Sequence, residues 1–205
     1  MSQLKLTADG GGGTVSLKGP SSTTGNSAIE LTVPGTGNAT LLTSATSTGK
    51  ILQVKSATKT NTATTTSATF ADIADLTVTL ITPQSGSKVI ISCNLMIGSE
   101  DNNYAAFKIF RDSTAIGVSS QATGNMTNST FGVGLRGSFQ FRTQSAGYQI
   151  LDTHGADGST NVTYKLQWAG VYQSKTVYIN RPHQTDDQSY TLYGTSTITA
   201  IEVAA

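Results

Sequence analysis

From Thr69 to the C-terminus, apolar and polar residues alternate in short runs. Phe70, Ile73, Leu76, Val78 and Leu80 lead into a Pro83-Gln-Ser-Gly86 turn, and Val89, Ile91, Cys93, Leu95 and Ile97 follow on one face of the next run. Phe107 and Ile109 flank Lys108. Leu135, Gly137, Phe139 and Phe141 alternate with Arg136, Ser138, Gln140 and Arg142. Val162, Tyr164, Leu166 and Trp168 alternate with Thr163, Lys165, Gln167 and Ala169; Val177 with Ile179 and the run Thr197–Val203 complete the series. A period of two places one set of side chains on one face of a strand, and no 3.6-residue pattern is long enough for a helix. Roughly eight such strands in a span of this size predict an all-β domain, a jelly-roll-like antiparallel β-sandwich forming a knob over 69–205.

The chain before this domain has a different pattern. Over residues 1–50 the apolar residues come in brief bursts, Leu4 and Leu6, Val15 and Leu17, then Ile29, Leu31 and Val33, with no aromatic residue among them. Turn formers separate the bursts: Asp9-Gly10-Gly11-Gly12-Gly13, Gly19-Pro20, and Pro34 to Asn38. Strands this short and poor in bulk cannot build a core alone, so 1–50 is expected to be an extended β-rich segment that anchors and oligomerises. Residues 51–68, rich in Thr and Ser around Ile51, Leu52 and Val54, read as a strand followed by a linker or neck.

Composition sharpens this reading. Charged residues are only 12% of the chain and the formal net charge is +1, with Ser, Thr and Gly in their place. Thr favours a pleated, half-wet surface. A nearly neutral chain has no electrostatic pull toward nucleic acid or an anionic membrane, so neither is an expected partner. Cys93 is the single cysteine, which excludes an internal disulfide, and its place in an apolar run predicts a buried small hydrophobe. The N-terminus Met-Ser-Gln-Leu-Lys-Leu has no apolar signal core, and no run of about 18 apolar residues occurs, so no signal peptide and no membrane insertion are expected.

Candidate chemistry is confined to loops. His154, between Asp152 and Asp157, is the nearest approach to a metal or acid–base cluster, yet Asp152-Thr-His-Gly-Ala-Asp-Gly158 also has the composition of a surface turn. Arg181, His183, Asp186 and Asp187, with Tyr190 and Tyr193 close by, could contact a receptor or glycan through stacked aromatics and planar polar groups; the plainer alternative is a solvated loop in which Arg181 pairs with an aspartate. The polar loops 100–104 and 124–130 are first of all connections. Gly10–Gly13 has no following Lys or helix and so is no phosphate loop. No catalytic residue, metal ligand or cofactor is expected.

Four segments together resemble the C-terminal domain of bacteriophage tail fibres, of the kind found in marine and cyanobacterial phages: Tyr164-Lys-Leu-Gln-Trp168, Val177-Tyr-Ile-Asn-Arg181, Asp186-Asp187-Gln-Ser-Tyr190 and Ser196–Val203. Ala68–Leu76 and Ile81–Ile91 are similar to the opening strands of that family, and Leu4–Pro20 with Glu30-Leu-Thr-Val-Pro34 to its N-terminal stretches. The resemblance implies a structural virion protein, a homotrimeric tail fibre, head fibre or spike assembled in the host cytoplasm. Its residues 1–50 would dock on other virion proteins, and its knob would meet a host glycan or protein. The chain is short for a full tail fibre. One other function fits the same residues, a stand-alone carbohydrate-binding, lectin-like module; a polysaccharide-degrading spike requires two facing carboxylates, and the few acidic residues form no such pair in sequence.

Overall fold

The computed structural model describes residues 4–7, 14–17, 49–100, 102–135, 141–172 and 175–205. The chain divides into two compact units, Met1–Thr43 and Ser44–Ala205. In the first, β1 (Leu4–Thr7) and β2 (Thr14–Leu17) form an antiparallel hairpin with Leu4 opposite Leu17 and Thr7 opposite Thr14. The burst expected as a strand at Ile29–Val33 lies outside the described residues, as does the alternation over 136–140.

The second unit is an all-β sandwich, with no helix among the described residues. One sheet is built around β6 (Lys88–Ser99), whose twelve residues span the domain. Along one edge β6 pairs first with β13 (Ser196–Val203) and then with β12 (Val177–Ile179); along the other it pairs with β10 (Gln144–Asp152). β3 (Ile51–Lys59) continues from β13, and β4 (Ala63–Thr65) from β12. The second sheet runs β5 (Ala71–Leu80), β11 (Val162–Gly170), β7 (Asn103–Arg111), with β8 (Thr114–Ile116) and β9 (Phe131–Leu135) sharing the outer edge of β7. All pairings are antiparallel. The expected all-β antiparallel sandwich is present, with this strand order as its connectivity.

One boundary moves. Residues 51–68, read from their Thr and Ser content as a strand and a linker, supply two strands of the first sheet, and the knob begins at β3. The physical reason is register. Ala57 packs against the core and Gln53 hydrogen-bonds buried Glu202, while the hydroxyls of Ser56 and Thr58 occupy outward positions of the edge strand. A hydroxyl-rich strand is what a half-solvated edge permits.

The inward residues of both sheets form one core. Ile73, Leu76, Val78 and Leu80 of β5, Val89, Ile91, Cys93, Leu95 and Ile97 of β6, Phe107 and Ile109 of β7, and Tyr164, Leu166 and Trp168 of β11 are all buried. Each large aliphatic or aromatic side chain buried this way contributes about 1.5–3 kcal/mol. The three-residue step from Ile73 to Leu76 breaks the period of two, and a bulge explains it. Asp75 takes a left-handed backbone (φ 68°), and the pairing of β5 with β11 shifts register between Lys165 and Gln167, so both neighbours still point inward.

Both open sides of the sandwich are closed by side chains. On one, the Gln53 amide donates to the Ile81 carbonyl and accepts from its N–H, joining β3 to the end of β5. On the other, Phe131 of β9 stacks between Phe107 and Tyr148 of β10, with ring centroids 4.9 and 5.2 Å apart.

Candidate functional site

Two segments hold the chemistry expected from the sequence, and the structure treats them differently. The first is the turn after β10. His154 is buried rather than displayed on a surface turn. Its Nδ1 accepts the Ala156 N–H at 2.9 Å, so the ring proton sits on Nε2 and points at Ser87 Oγ, 3.0 Å away. Ser87 donates to Glu202 Oε1 at 2.6 Å; the same carboxylate accepts the Gln84 N–H and the Gln53 amide, each at 2.6 Å. Burial acts to raise the Glu202 pKa, and the hydrogen bonds from Ser87, Gln53 and Gln84 outweigh it, leaving the carboxyl below its ordinary value. Serine, histidine and glutamate are thus in contact, but in an order that activates nothing. A nucleophilic serine must donate to a histidine that is held by the acid, whereas here the serine donates to the acid and the histidine donates to the serine.

The two aspartates of this turn go elsewhere. Asp152 is buried, accepts Arg111 Nη1 at 2.8 and 3.0 Å, and takes the Tyr164 hydroxyl at 2.8 Å. Desolvation, followed by that carboxylate, pushes the Tyr164 phenol strongly up. Asp157 is exposed and closes a local turn by accepting both the N–H and the hydroxyl of Ser159, which lowers its pKa. His154 and Asp157 therefore share no site, and among the described residues no group of three His, Cys, Asp or Glu side chains is placed to hold a metal.

The second segment, 181–193, is a closed loop with a fixed neck. Asn180 follows β12 in a left-handed conformation (φ 66°) with its side chain fully buried. Its amide donates to the Lys59 and Asn61 carbonyls, its Oδ1 accepts the Ser196 hydroxyl at 2.6 Å, and its carbonyl accepts the Gly194 N–H at 3.1 Å. One residue thereby ties the entry of the loop to its exit, as in an Ω-loop. Pro182 is buried over Gly98, where a β-carbon would overlap the Arg181 carbonyl.

Above the neck, the expected residues separate. Arg181 lies over the Tyr178 ring, 4.3 Å from its centroid, instead of pairing with Asp186 or Asp187. His183 Nδ1 is 2.7 Å from the Tyr178 hydroxyl. These two are half-buried supports. Asp186, Asp187 and Tyr190 are exposed at the tip. Two further tip residues stand with them, Leu192 at 61% and Tyr193 at 59% exposure, beside Tyr190 at 55%. Phe141 meets Tyr190 edge-on at 5.5 Å. Leu192 and Phe141 carry no polar motif; Leu192 joins the site by its place on the folded loop, and Phe141, from the segment before β10, by its ring contact with Tyr190. Asn180 and Pro182 are turn formers, the one local signal from which the neck could have been found.

The tip is thus an apolar, aromatic surface with two free carboxylates on a rigid mount. Ring faces can stack on the C–H faces of a sugar, and carboxylates accept hydrogen bonds from vicinal hydroxyls. No protein-family model matches the chain, and no curated protein matches it either.

Proposed function

We propose that the chain is a non-enzymatic structural protein of a bacteriophage particle, a homotrimeric fibre, head fibre or spike, in which the sandwich displays the 181–193 loop to a host-cell glycan. Residues 1–50 dock on neighbouring virion proteins. The observation that carries the attachment role is the loop itself. Tyr190, Leu192 and Tyr193 are more than half exposed on a segment whose neck is held by buried Asn180. Exposed apolar side chains on a rigid base meet a ligand with little ordering cost. The resemblance of Val177–Arg181, Asp186–Tyr190 and Ser196–Val203 to phage fibre domains supplies the virion setting.

The test is retention of the full chain on host cells and on their purified surface polysaccharide, with Tyr190→Ala and Tyr193→Ala alongside. Each variant is expected to weaken retention by about tenfold or more, the cost of removing a central aromatic anchor. Equal retention of both variants would overturn the loop assignment. Release of measurable sugar from the polysaccharide would overturn the non-enzymatic reading.

A further inference from the structure

We infer that the outer face of the β10-β6-β13-β3 sheet is the surface on which copies of this chain meet. The inference rests on the self-assembly part of the proposed function and assigns it to residues. Register places Leu151, Ile90, Ile201 and Val54 side by side across four strands, all pointing away from the core. Leu151 is 56% and Val54 54% exposed, and Ile51 at 59% extends the row beside Val203. A continuous aliphatic band on an outward sheet face is unlike the scattered apolar residues of an ordinary surface.

The rest of the face suits burial against protein. The next row is Gln149, Ser92, Thr199 and Ser56, and the one after it Gly147, Asn94, Thr197 and Thr58. Part of its polar surface is already paired: Ser56 and Thr199 hydroxyls are 3.0 Å apart, and Ser145, at the margin, donates to Asn94. Desolvating them costs less than desolvating unpaired groups. Over these rows the only charged side chain is Lys88, at the margin opposite Val203. Interface cores are depleted of charge in this way.

The occupant follows from the same neutrality. A face carrying charge of one sign repels its own copy, whereas a neutral one does not. A symmetry axis passing near the aliphatic band sets the band against its own equivalents and the hydroxyl rows against theirs. Four strands at about 4.8 Å and nine residues at about 3.3 Å give a face of about 570 Å² in projection. That approaches the roughly 800 Å² each partner contributes to a standard interface.

The experiment is the absolute mass in solution of the full chain and of Leu151→Lys and Val54→Lys. Both sites are exposed enough to accept lysine without disturbing the core. Wild type is expected at a multiple of 21.3 kDa and both variants at a single chain that still unfolds cooperatively. Met126→Lys, at a 68% exposed site away from this face, should keep the wild-type mass. Leu151→Cys should also crosslink copy to copy under mild oxidation, because the native Cys93 is buried. A monomeric wild type would overturn both this inference and the self-assembly reading. A multimer that survives both lysines and gives no Leu151→Cys crosslink would overturn the face alone, leaving assembly to another surface.

Discussion

The turn at 152–158 and the loop at 181–193 are built from nearly the same residue types, yet one is sealed and the other displayed. Each has a histidine, a pair of aspartates and turn-forming Gly or Pro. In the first, Asp152 is the last residue of β10 and falls on the inward parity of that strand, opposite Val89, so it and His154 are drawn under the end of the sandwich. In the second, the inward parity of β12 ends at Ile179; Asn180 turns left-handed, spends its side chain and carbonyl on the neck, and leaves the next thirteen residues to loop outward. Composition is thus a poor guide to which polar cluster faces a ligand. The parity of the strand that delivers it decides.

The contrast is broken most severely at its buried end. Glu202→Ala removes an acceptor shared by three donors; Ser87 keeps the Gln84 carbonyl and Gln53 the Ile81 carbonyl, and the Gln84 N–H loses its acceptor. Ser87 is the buried donor of the three, so a loss of about 1–3 kcal/mol is expected, read as a drop in Tm of about 2–10 °C for a domain of this size. The same group gives a pH signature. Its folded pKa is depressed below the ordinary 4.5, so its contribution is complete above that value and is lost as pH falls through the folded pKa. Urea midpoints of wild type should therefore fall in acid more steeply than those of Glu202→Gln. Parallel curves would show that the carboxylate is not held in its charged form.

A comparable loss is expected at the neck. Gly98→Ala sets a β-carbon against the Arg181 carbonyl and the Pro182 Cα, backbone atoms that cannot swing aside. The base of the loop must move or the strand must bend, at a cost of about 1–3 kcal/mol. Protease cleavage within 181–193 should rise sharply in this variant and stay slow in wild type. Equal cleavage would mean that Pro182 does not fix the loop.

Much of this was legible in the sequence and some was not, for definable reasons. Period two located β6 and β11 and their buried faces, because both strands cross the middle of the sandwich and every second residue is forced inward. The edge strand β3 was read as a linker past its first residues, because an edge needs only an occasional apolar anchor such as Ala57. β10 escaped notice because its inward positions are Ala146, Tyr148, Ile150 and Asp152, too mixed to alternate clearly. The Ser87–His154–Glu202 contact joins residues up to 115 positions apart, and no local spacing announces it. Cys93 was legible: it is buried, and desolvation lifts its pKa to about 11. Thiol reagents at pH 8 should accordingly leave it unlabelled in the folded chain and label it fully in denaturant.

The two histidines give a smaller and sharper test. His154→Ala removes a buried donor to Ser87 and the acceptor of the Ala156 N–H, at about 1–3 kcal/mol. His183→Ala removes only the partner of the Tyr178 hydroxyl in a half-buried position, where water replaces it, at under about 1 kcal/mol. Chemical denaturation of the two variants side by side measures the difference. A larger cost at His183 would mean that the loop is part of the core's cooperative unit.

The smallest effect on stability should come from the tip, where the largest effect on function is expected. Tyr190, Leu192 and Tyr193 are each more than half exposed, so truncating any of them removes little buried surface. Tyr190 keeps one edge-on contact with Phe141, which contributes about 0.5–1.5 kcal/mol at most in such pairs. Leu192→Ala and Tyr193→Ala should leave the denaturation midpoint within about 0.5 kcal/mol of wild type, and Tyr190→Ala within about 1 kcal/mol. Apolar groups held in water without stabilising their own fold find their use against something outside it. If instead all three variants lost stability as Glu202→Ala does, the tip would be packed against another part of the chain, and the displayed loop would be as structural as the turn at 152–158.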